Sequence, residues 1–145
     1  MEVRRATMDD IEQIAELGLR LHMKSANARF QFSGMRARVL VASCIVRRNM
    51  CAMVALEGKL VVGFILGHVD EHPFIEIKYA TDLATCSAQP GAGRQLIEAF
   101  TKWAFDEAQA DQVILGVTYG GKDHAAIYER LGFENVGGMF TRSKA

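Results

Sequence analysis

The sequence predicts a mixed α/β (α+β) domain built around a central, mostly antiparallel sheet. The chain has 145 residues, half of them hydrophobic and 23% charged, which suits one compact domain over residues 1–145. In the middle of the chain, β-rich runs follow one another across short turns, as antiparallel neighbours do. Segments with helical periodicity lie on either side, so the predicted order of elements is β α α β β β α β α β.

The first part of the chain predicts one short strand and two helices. The strand surrounds Val3, and Thr7 followed by Asp10 is a capping pattern that starts a helix over about residues 8–24. A connection over residues 25–33 follows, in which Phe30 and Phe32 are the large apolar side chains. The second helix has one apolar face, formed by Met35, Val39, Ala42 and Val46.

Three strands follow. Residues 50–56 and 60–69 are β-rich runs joined by Glu57, Gly58 and Lys59, which predicts a hairpin. Residues 74–85 alternate between apolar and polar side chains after Pro73 and predict the fourth strand of the chain. We expect these three strands to pair antiparallel.

The last part of the chain predicts two helices and two strands. A glycine-containing turn leads into a helix whose buried stripe contains Leu96, Phe100, Trp103 and Ala104. Residues 113–117 lack polar alternation, which predicts a central strand covered on both faces. A short helix over residues 124–131 ends at Gly132, and residues 133–141 predict the last strand.

Charge and cysteine content exclude several classes of protein. The 17 basic and 17 acidic residues cancel, so no global field attracts nucleic acid, and no run of eighteen apolar residues predicts a membrane span. The three cysteines form no CxxC pair, and the N-terminus lacks a signal-peptide pattern, so we expect reduced thiols and a cytoplasmic location. The histidines form no metal motif such as HExxH, so no metal is expected.

A basic stretch marks the second helix and has two interpretations. The four residues concerned are Arg36, Arg38, Arg47 and Arg48. They would suit a nucleic-acid interface or a solvated helix face. Because no aromatic stacking platform accompanies them and the chain is neutral, we favour the solvated face.

The turn Gln89-Pro90-Gly91-Ala92-Gly93-Arg94 lies between a strand and a helix. Glycines let backbone amides approach an anion, and the start of a helix adds positive dipole. A pyrophosphate site and a purely structural turn both fit this pattern. The turn matches neither the Walker A nor the Rossmann pattern, since it has no Gly-Lys-Ser/Thr and no third glycine at the Rossmann spacing.

The element order, this turn and the later segment HAAIYERLGF together resemble the GNAT superfamily of acyl-CoA-dependent N-acyltransferases. The resemblance covers nearly the whole chain and implies that the fourth and fifth strands splay apart. The family turn has the pattern Gln/Arg-x-x-Gly-x-Gly/Ala, whose second half matches Gly91, Ala92 and Gly93. By this resemblance, acetyl-CoA would be bound by Leu83, Ala84, Thr85, Gln89, Gly91, Ala92, Gly93, Arg94, Gln95 and His124.

The resemblance also implies catalytic residues. Tyr128 opens a Tyr-x-x-x-Gly-Phe segment, and the family tyrosine there protonates the departing CoA thiolate; the alternative is a packed ring whose hydroxyl bonds to backbone. Glu76 is the first candidate for the general base, because it resembles a glutamate that histone-acetylating members carry on the fourth strand. A solvated charge paired with Lys78 is its alternative role, and Asp82 is the other candidate base.

These expectations define an acetyltransferase that uses acetyl-CoA as cosubstrate. The acceptor would be a primary amine, of a small molecule or of a protein lysine or N-terminus, and would attack the thioester directly in a ternary complex. Phe30 and Phe32 are candidates for the acceptor pocket. The alternative is a non-catalytic GNAT-like module that binds CoA or a protein partner. Two residues favour this alternative: Ala88 stands where the family has Gln or Arg, and Gly121 stands where the family has Asn. The sequence is also compatible with a homodimer formed through exposed last strands.

Overall fold

A five-stranded sheet crosses the computed structural model, which describes residues 1–116 and 122–144. The strands are β1 (Glu2–Arg5), β2 (Met50–Glu57), β3 (Leu60–Glu71), β4 (Lys78–Ser87) and β5 (Gln112–Ile114). The α-helices are α1 (Ile11–Met23), α2 (Gly34–Val46), α3 (Ala92–Lys102) and α4 (Lys122–Arg130). A 3-10 turn, Met8–Asp10, precedes α1, and a π-helical turn, Trp103–Glu107, follows α3.

The strands lie in chain order, and their pairing confirms the predicted fold class. β1, β2, β3 and β4 pair antiparallel, whereas β4 and β5 pair parallel. The hairpin between β2 and β3 turns at Gly58, whose φ of 60° suits glycine. The two helices predicted in the first part of the chain are also confirmed, with the first split into the 3-10 turn and α1.

The sheet separates two apolar cores. On one face, α1 and α2 bury side chains that include Ile14, Val41 and Phe64. On the other face, α3 buries Leu96 and Phe100 against the sheet. The start of α1 is fixed by Asp10, whose carboxylate accepts a 2.7 Å bond from the Thr7 amide, as the capping pattern predicted. The sheet is therefore covered by helices on both faces.

Gly67 allows α3 to lie close to β3. A Cβ atom on Gly67 would fall against the Phe100 ring and 2.6 Å from the carbonyl oxygen of Thr81. Since Phe100 is fully buried and Thr81 lies on the neighbouring strand, neither group has free space to move into. The absence of a side chain at this position thus sets the distance between α3 and the sheet.

The predicted start of the fourth strand is wrong, and Glu76 is not on that strand. β4 begins at Lys78, and Glu76 lies in the exposed turn before it. The turn is held by His72, whose Nδ1 accepts bonds from the amides of Phe74 (3.1 Å) and Ile75 (3.3 Å). The alternation of Ile75 and Ile77 resembles a strand in sequence but falls in this turn.

The predicted last strand and the central place of the fifth strand are also wrong within the described residues. The structure assigns no strand to residues 133–144, where Phe140 is 98% exposed and Gly137 has a φ of 152°. Strand pattern alone does not make a strand, because its backbone groups need a partner. Without that partner β5 is an edge strand, and its Ile114 is 40% exposed. Val117, the predicted end of this strand, lies outside the described residues.

None of the helices in the described ranges is both long enough and apolar enough to cross a membrane.

We predict that Gly67→Ala lowers the free energy of unfolding by ~1–3 kcal/mol, because the new methyl group overpacks the contact with Phe100 and Thr81. Urea denaturation measures this difference. Gly138→Ala is the matched control, since Gly138 has no atom within 4 Å of an added Cβ; we expect a change within about 0.5 kcal/mol. Equal stability of the Gly67→Ala variant and the unsubstituted protein would contradict the packing argument.

Candidate active site

A gap opens between β4 and β5 because their pairing is short. The last paired residues are Thr81 and Ile114, whereas β4 continues to Ser87. Beyond Thr81, β4 therefore has β3 on one side and no strand partner on the other within the described chain. Backbone groups of a strand that lacks a neighbour are free to bind an extended ligand. This is the predicted splay of the fourth and fifth strands.

A β-bulge lies in β4 at the mouth of the gap. Leu66 pairs with Ala84 and Gly67 pairs with Asp82, which leaves Leu83 as the extra residue. The extra residue changes which way the following side chains point: Ala80 packs in the α3 core, whereas Ala84 packs against the α1 and α2 core. Residues 83–85, predicted to bind the coenzyme, thus lie at the point where the side chains of β4 exchange the two faces of the sheet.

Asp82 joins the two sides of the gap. Its Oδ2 accepts a 2.7 Å hydrogen bond from the Thr85 hydroxyl on the same strand. Its Oδ1 accepts a 3.3 Å bond from the backbone amide of Gly116, which follows β5. The carboxylate takes the place of backbone pairing between the two segments and holds a negative charge inside the gap.

Tyr128 reaches the same point from α4. Its hydroxyl donates a 2.8 Å hydrogen bond to the carbonyl oxygen of Gly116, and its ring centroid lies 5.8 Å from that of Phe133. Burial raises the pKa of Tyr128 to about 12, and the charge of Asp82 adds to this shift. At neutral pH the phenol therefore carries its proton and is a hydrogen-bond donor.

The glycine turn lies at the end of β4 and is braced by Ser87. The Ser87 hydroxyl donates to the Gln89 carbonyl (2.9 Å) and accepts from the Gly93 amide (3.2 Å). Gly91 caps α3 with a φ of 87°, and a Cβ there would meet open space. The amides of Gly91 and Arg94 have no acceptor among residues 1–116 and 122–144. An anion fits this position, because it would face free N–H groups at the positive end of a helix.

Three side chains predicted for the turn have other partners or none. The Gln89 side-chain amide donates a 2.7 Å hydrogen bond to Glu57 Oε1, and the Arg94 guanidinium forms a 3.2 Å ion pair with Glu98 along α3. The Gln95 side chain is exposed. The Ala92 amide bonds to the Gln89 carbonyl within the turn. Of the groups predicted for this turn, the backbone amides of Gly91 and Arg94 and the exposed Gln95 side chain are therefore left without a partner in the described chain.

The remaining predicted residues are spread more widely. Glu76 lies before the start of β4, away from the gap that opens after Thr81. Phe30 is exposed and carries the Arg29 guanidinium over its ring at 4.8 Å, whereas Phe32 lines a cavity. His124 belongs to α4, but its side chain lies outside the described residues, as does the whole of Gly121.

The cavity that Phe32 lines has a volume of about 800 Å³ and lies between α1, α2 and the sheet. Its floor is formed by Phe64, Leu66 and Ala84. Ala84 is one of the residues at the bulge of β4, so the cavity and the gap meet at this strand. A volume in this range suits a small-molecule ligand.

Sequence reasoning missed Gly116 and Ser87. Gly116 supplies the amide that binds Asp82 and the carbonyl that binds Tyr128, and nothing local in the sequence marks this role. Ser87 had a detectable signal, since a serine next to a glycine-rich turn commonly bonds to the turn backbone.

Two further features of the described residues are the arrangement of metal-ligating side chains and the protonation of the cysteines. No group of three or more histidine, cysteine, aspartate or glutamate side chains there is arranged to hold a metal ion. Burial raises the pKa of Cys44 to about 11 and that of Cys51 to about 12. Burial also raises the pKa of Cys86, in spite of Lys24 and Arg20 nearby. These thiols stay protonated and are poor nucleophiles.

Comparison with known proteins agrees with this geometry. Residues 19–133 match the sequence profile of the acetyltransferase (GNAT) family, so the chain belongs to this family. No curated protein sequence matches the chain significantly.

Many solved structures share the fold, three of which illustrate its range. A transcriptional regulator from Bacillus halodurans C-125 superposes with a TM-score of 0.79 at 19% identity, covering 99% of both chains. AAC(6')-Iy, in complex with a CoA-linked bisubstrate analogue, superposes with a TM-score of 0.77 at 13% identity, covering 99% of this chain and 97% of that one. Ribosomal-protein-alanine N-acetyltransferase from Brucella melitensis biovar Abortus 2308 superposes with a TM-score of 0.71 at 16% identity, covering 99% and 100%.

We predict that Asp82→Asn lowers the pKa of Tyr128 from about 12 but leaves it above the ordinary tyrosine value near 10, because burial persists when the charge is removed. NMR titration of the tyrosine Cζ resonances measures this value, with Tyr128→Phe used to assign the signal. Glu76→Gln is the control and should leave the titration unchanged, because Glu76 lies in an exposed turn. An identical Tyr128 titration in Asp82→Asn would count against the proximity of the two groups.

Proposed function

We propose that the protein transfers an acetyl group from acetyl-CoA to a primary amine by direct attack in a ternary complex. The observation that carries this proposal is a protonated phenol, Tyr128, held beside Asp82 at the gap between β4 and β5 in a chain of the acetyltransferase family. The CoA-linked analogue bound to the neighbour AAC(6')-Iy supports acyl-CoA binding on this fold.

The open side of β4 and the glycine turn fit the two ends of this cosubstrate. Residues 83–85 offer backbone groups along the gap, which match the amides of a pantetheine arm. The free amides of Gly91 and Arg94, together with the start of α3, match a pyrophosphate. His124 stays a prediction from the resemblance to the family.

The chain's own residues handle the protons of the reaction. The amine nitrogen forms a bond to the thioester carbon, and the carbon–sulfur bond breaks. A phenol with a pKa of about 12 does not release its proton outright to a thiolate, since thiols ionise near 8.5. In this structure the Tyr128 hydroxyl donates to the Gly116 carbonyl; when the thioester is bound, the hydroxyl would turn from that carbonyl and donate a hydrogen bond to sulfur as charge develops there. When it passes its proton to sulfur, the proton that the amine nitrogen loses replaces it.

Asp82 is the better candidate for the base of the two carboxylates that the sequence offers. Glu76 lies in an exposed turn that precedes β4, whereas Asp82 lies in the gap and contacts Gly116, the residue that binds Tyr128. A carboxylate at this point accepts the amine proton, directly or through water, and keeps it close to the phenol.

We predict that Gly91→Trp abolishes acetyl-CoA binding, because a large side chain at this open position would fill the space in front of the turn amides. Isothermal calorimetry measures the binding. Gly58→Trp is the control and should bind normally: Gly58 also has a positive φ (60°) and open surroundings, but it lies in the hairpin turn. If the folded unsubstituted protein does not bind acetyl-CoA, the enzyme proposal fails and a protein-binding role takes its place.

We predict that Tyr128→Phe lowers kcat by roughly 100-fold or more with little change in KM for acetyl-CoA, since the ring still packs on Phe133 but cannot donate a proton. Thiol release, followed with an aromatic disulfide reagent, measures the rate. Tyr79→Phe is the control, because the Tyr79 ring packs against His72 outside the gap. A Tyr128→Phe variant with full kcat would remove the phenol from the mechanism.

A further inference from the structure

If the proposed acetyltransferase function holds, the residues that line the cavity between α1 and α2 restrict which class of amine can bind as the acceptor. Most of its wall is apolar, with Phe32, Phe64, Leu66 and Leu40 among the larger side chains. None of the lining residues in the described part of the chain is an aspartate or a glutamate. A site for a molecule with several ammonium groups needs carboxylates to replace their hydration, and this wall offers none.

One cation lies on the wall of this cavity. Arg36 lines it from the first turn of α2, and its guanidinium has no carboxylate partner among the described residues. Arg38, two residues further along α2, differs because its guanidinium donates two hydrogen bonds, of 2.8 and 3.0 Å, to the Glu12 carboxylate. Of these two arginines, the one that lines the cavity is therefore the one without a carboxylate partner.

The position of Arg36 strengthens its preference for an anion. Ser33 caps α2, and its hydroxyl accepts a 3.1 Å bond from the Arg36 amide. The guanidinium therefore adds to the positive end of the helix, where carboxylates are favoured. Guanidinium groups bind carboxylates through two parallel hydrogen bonds, which fixes the orientation of the ligand as well as its charge.

We infer that the acceptor is a small primary amine that carries both a large apolar group and a carboxylate, such as an apolar amino acid. The carboxylate pairs with Arg36, and the apolar group lies against Phe32, Phe64 and Leu66. The amine is then directed toward Ala84, where the cavity floor meets the bulge of β4 and the proposed acyl site.

Four probe molecules separate the parts of this inference. Tryptophan has the apolar group, the amine and the carboxylate; tryptamine lacks the carboxylate; glycine lacks the apolar group; spermidine has several ammonium groups. NMR titration of backbone amides measures each affinity in the absence of acetyl-CoA, with Gly18, Phe32 and Gly34 as reporters on the cavity wall. This readout does not need acetyl transfer, so it separates failure of this inference from failure of the proposed function.

We predict that tryptophan binds at the cavity at least roughly 10-fold more tightly than tryptamine, glycine or spermidine, the range expected for one charge-assisted contact. Arg36→Gln should reduce tryptophan binding to the level of tryptamine. Arg47→Gln, an exposed arginine at the other end of α2, should change nothing.

The kinetic counterpart uses the same variants. In the transfer assay, Arg36→Gln should raise KM for tryptophan about 10-fold and leave KM for tryptamine unchanged, since only the carboxylate contact is lost. Tryptamine or spermidine binding as tightly as tryptophan would overturn the inference. Tryptophan shifts that avoid the cavity reporters, or an Arg36→Gln variant that weakens tryptophan and tryptamine equally, would also overturn it.

Discussion

The early end of pairing between β4 and β5 is the constraint on which the rest of the site depends. Parallel strands that start side by side normally continue together, because each unpaired backbone group in the interior loses a hydrogen bond. In this protein the Asp82 carboxylate takes up the Gly116 amide at the point where the ladder stops, so the break is partly compensated. The same break leaves the far part of β4 free for a ligand and brings the Gly116 carbonyl to Tyr128.

The bulge at Leu83 changes the face of the sheet to which the side chains of β4 point at this break. Before it, Ala80 packs toward α3; after it, Ala84 packs toward α1 and α2 and forms part of the cavity floor. A regular strand would keep both residues on one face. Gly67 lies opposite Asp82 and admits Phe100, so α3 lies close to the sheet. The glycine turn connects the end of β4 to the first turn of α3. The proposed coenzyme turn and the acceptor cavity therefore meet at one irregular strand.

Local patterns in the sequence were sufficient for part of this arrangement. The hairpin, the capped first helix, the glycine turn and the position of Tyr128 each depend on residues close together in the chain. Glu76 was misplaced because alternation of Ile75 and Ile77 does not show where pairing begins, and the His72 ring that holds the turn acts through its own contacts. Residues 133–141 have strand composition but no partner in the described chain. The meeting of Asp82, Gly116 and Tyr128 joins three distant segments, which no local pattern encodes.

The same electrostatics supports the proposed direct transfer over transfer through an acylated cysteine. Cys86 lies on the strand that borders the gap, but burial raises the pKa of its thiol, so it is a poor nucleophile at neutral pH. Burial acts on Tyr128 in the same direction and gives a different result, because a phenol with a raised pKa is useful as a donor. Keeping both groups protonated disfavours a covalent intermediate on Cys86 and supports the proposed direct attack of the amine on the thioester. The cavity that shares Ala84 with the gap is the route that we propose for that amine.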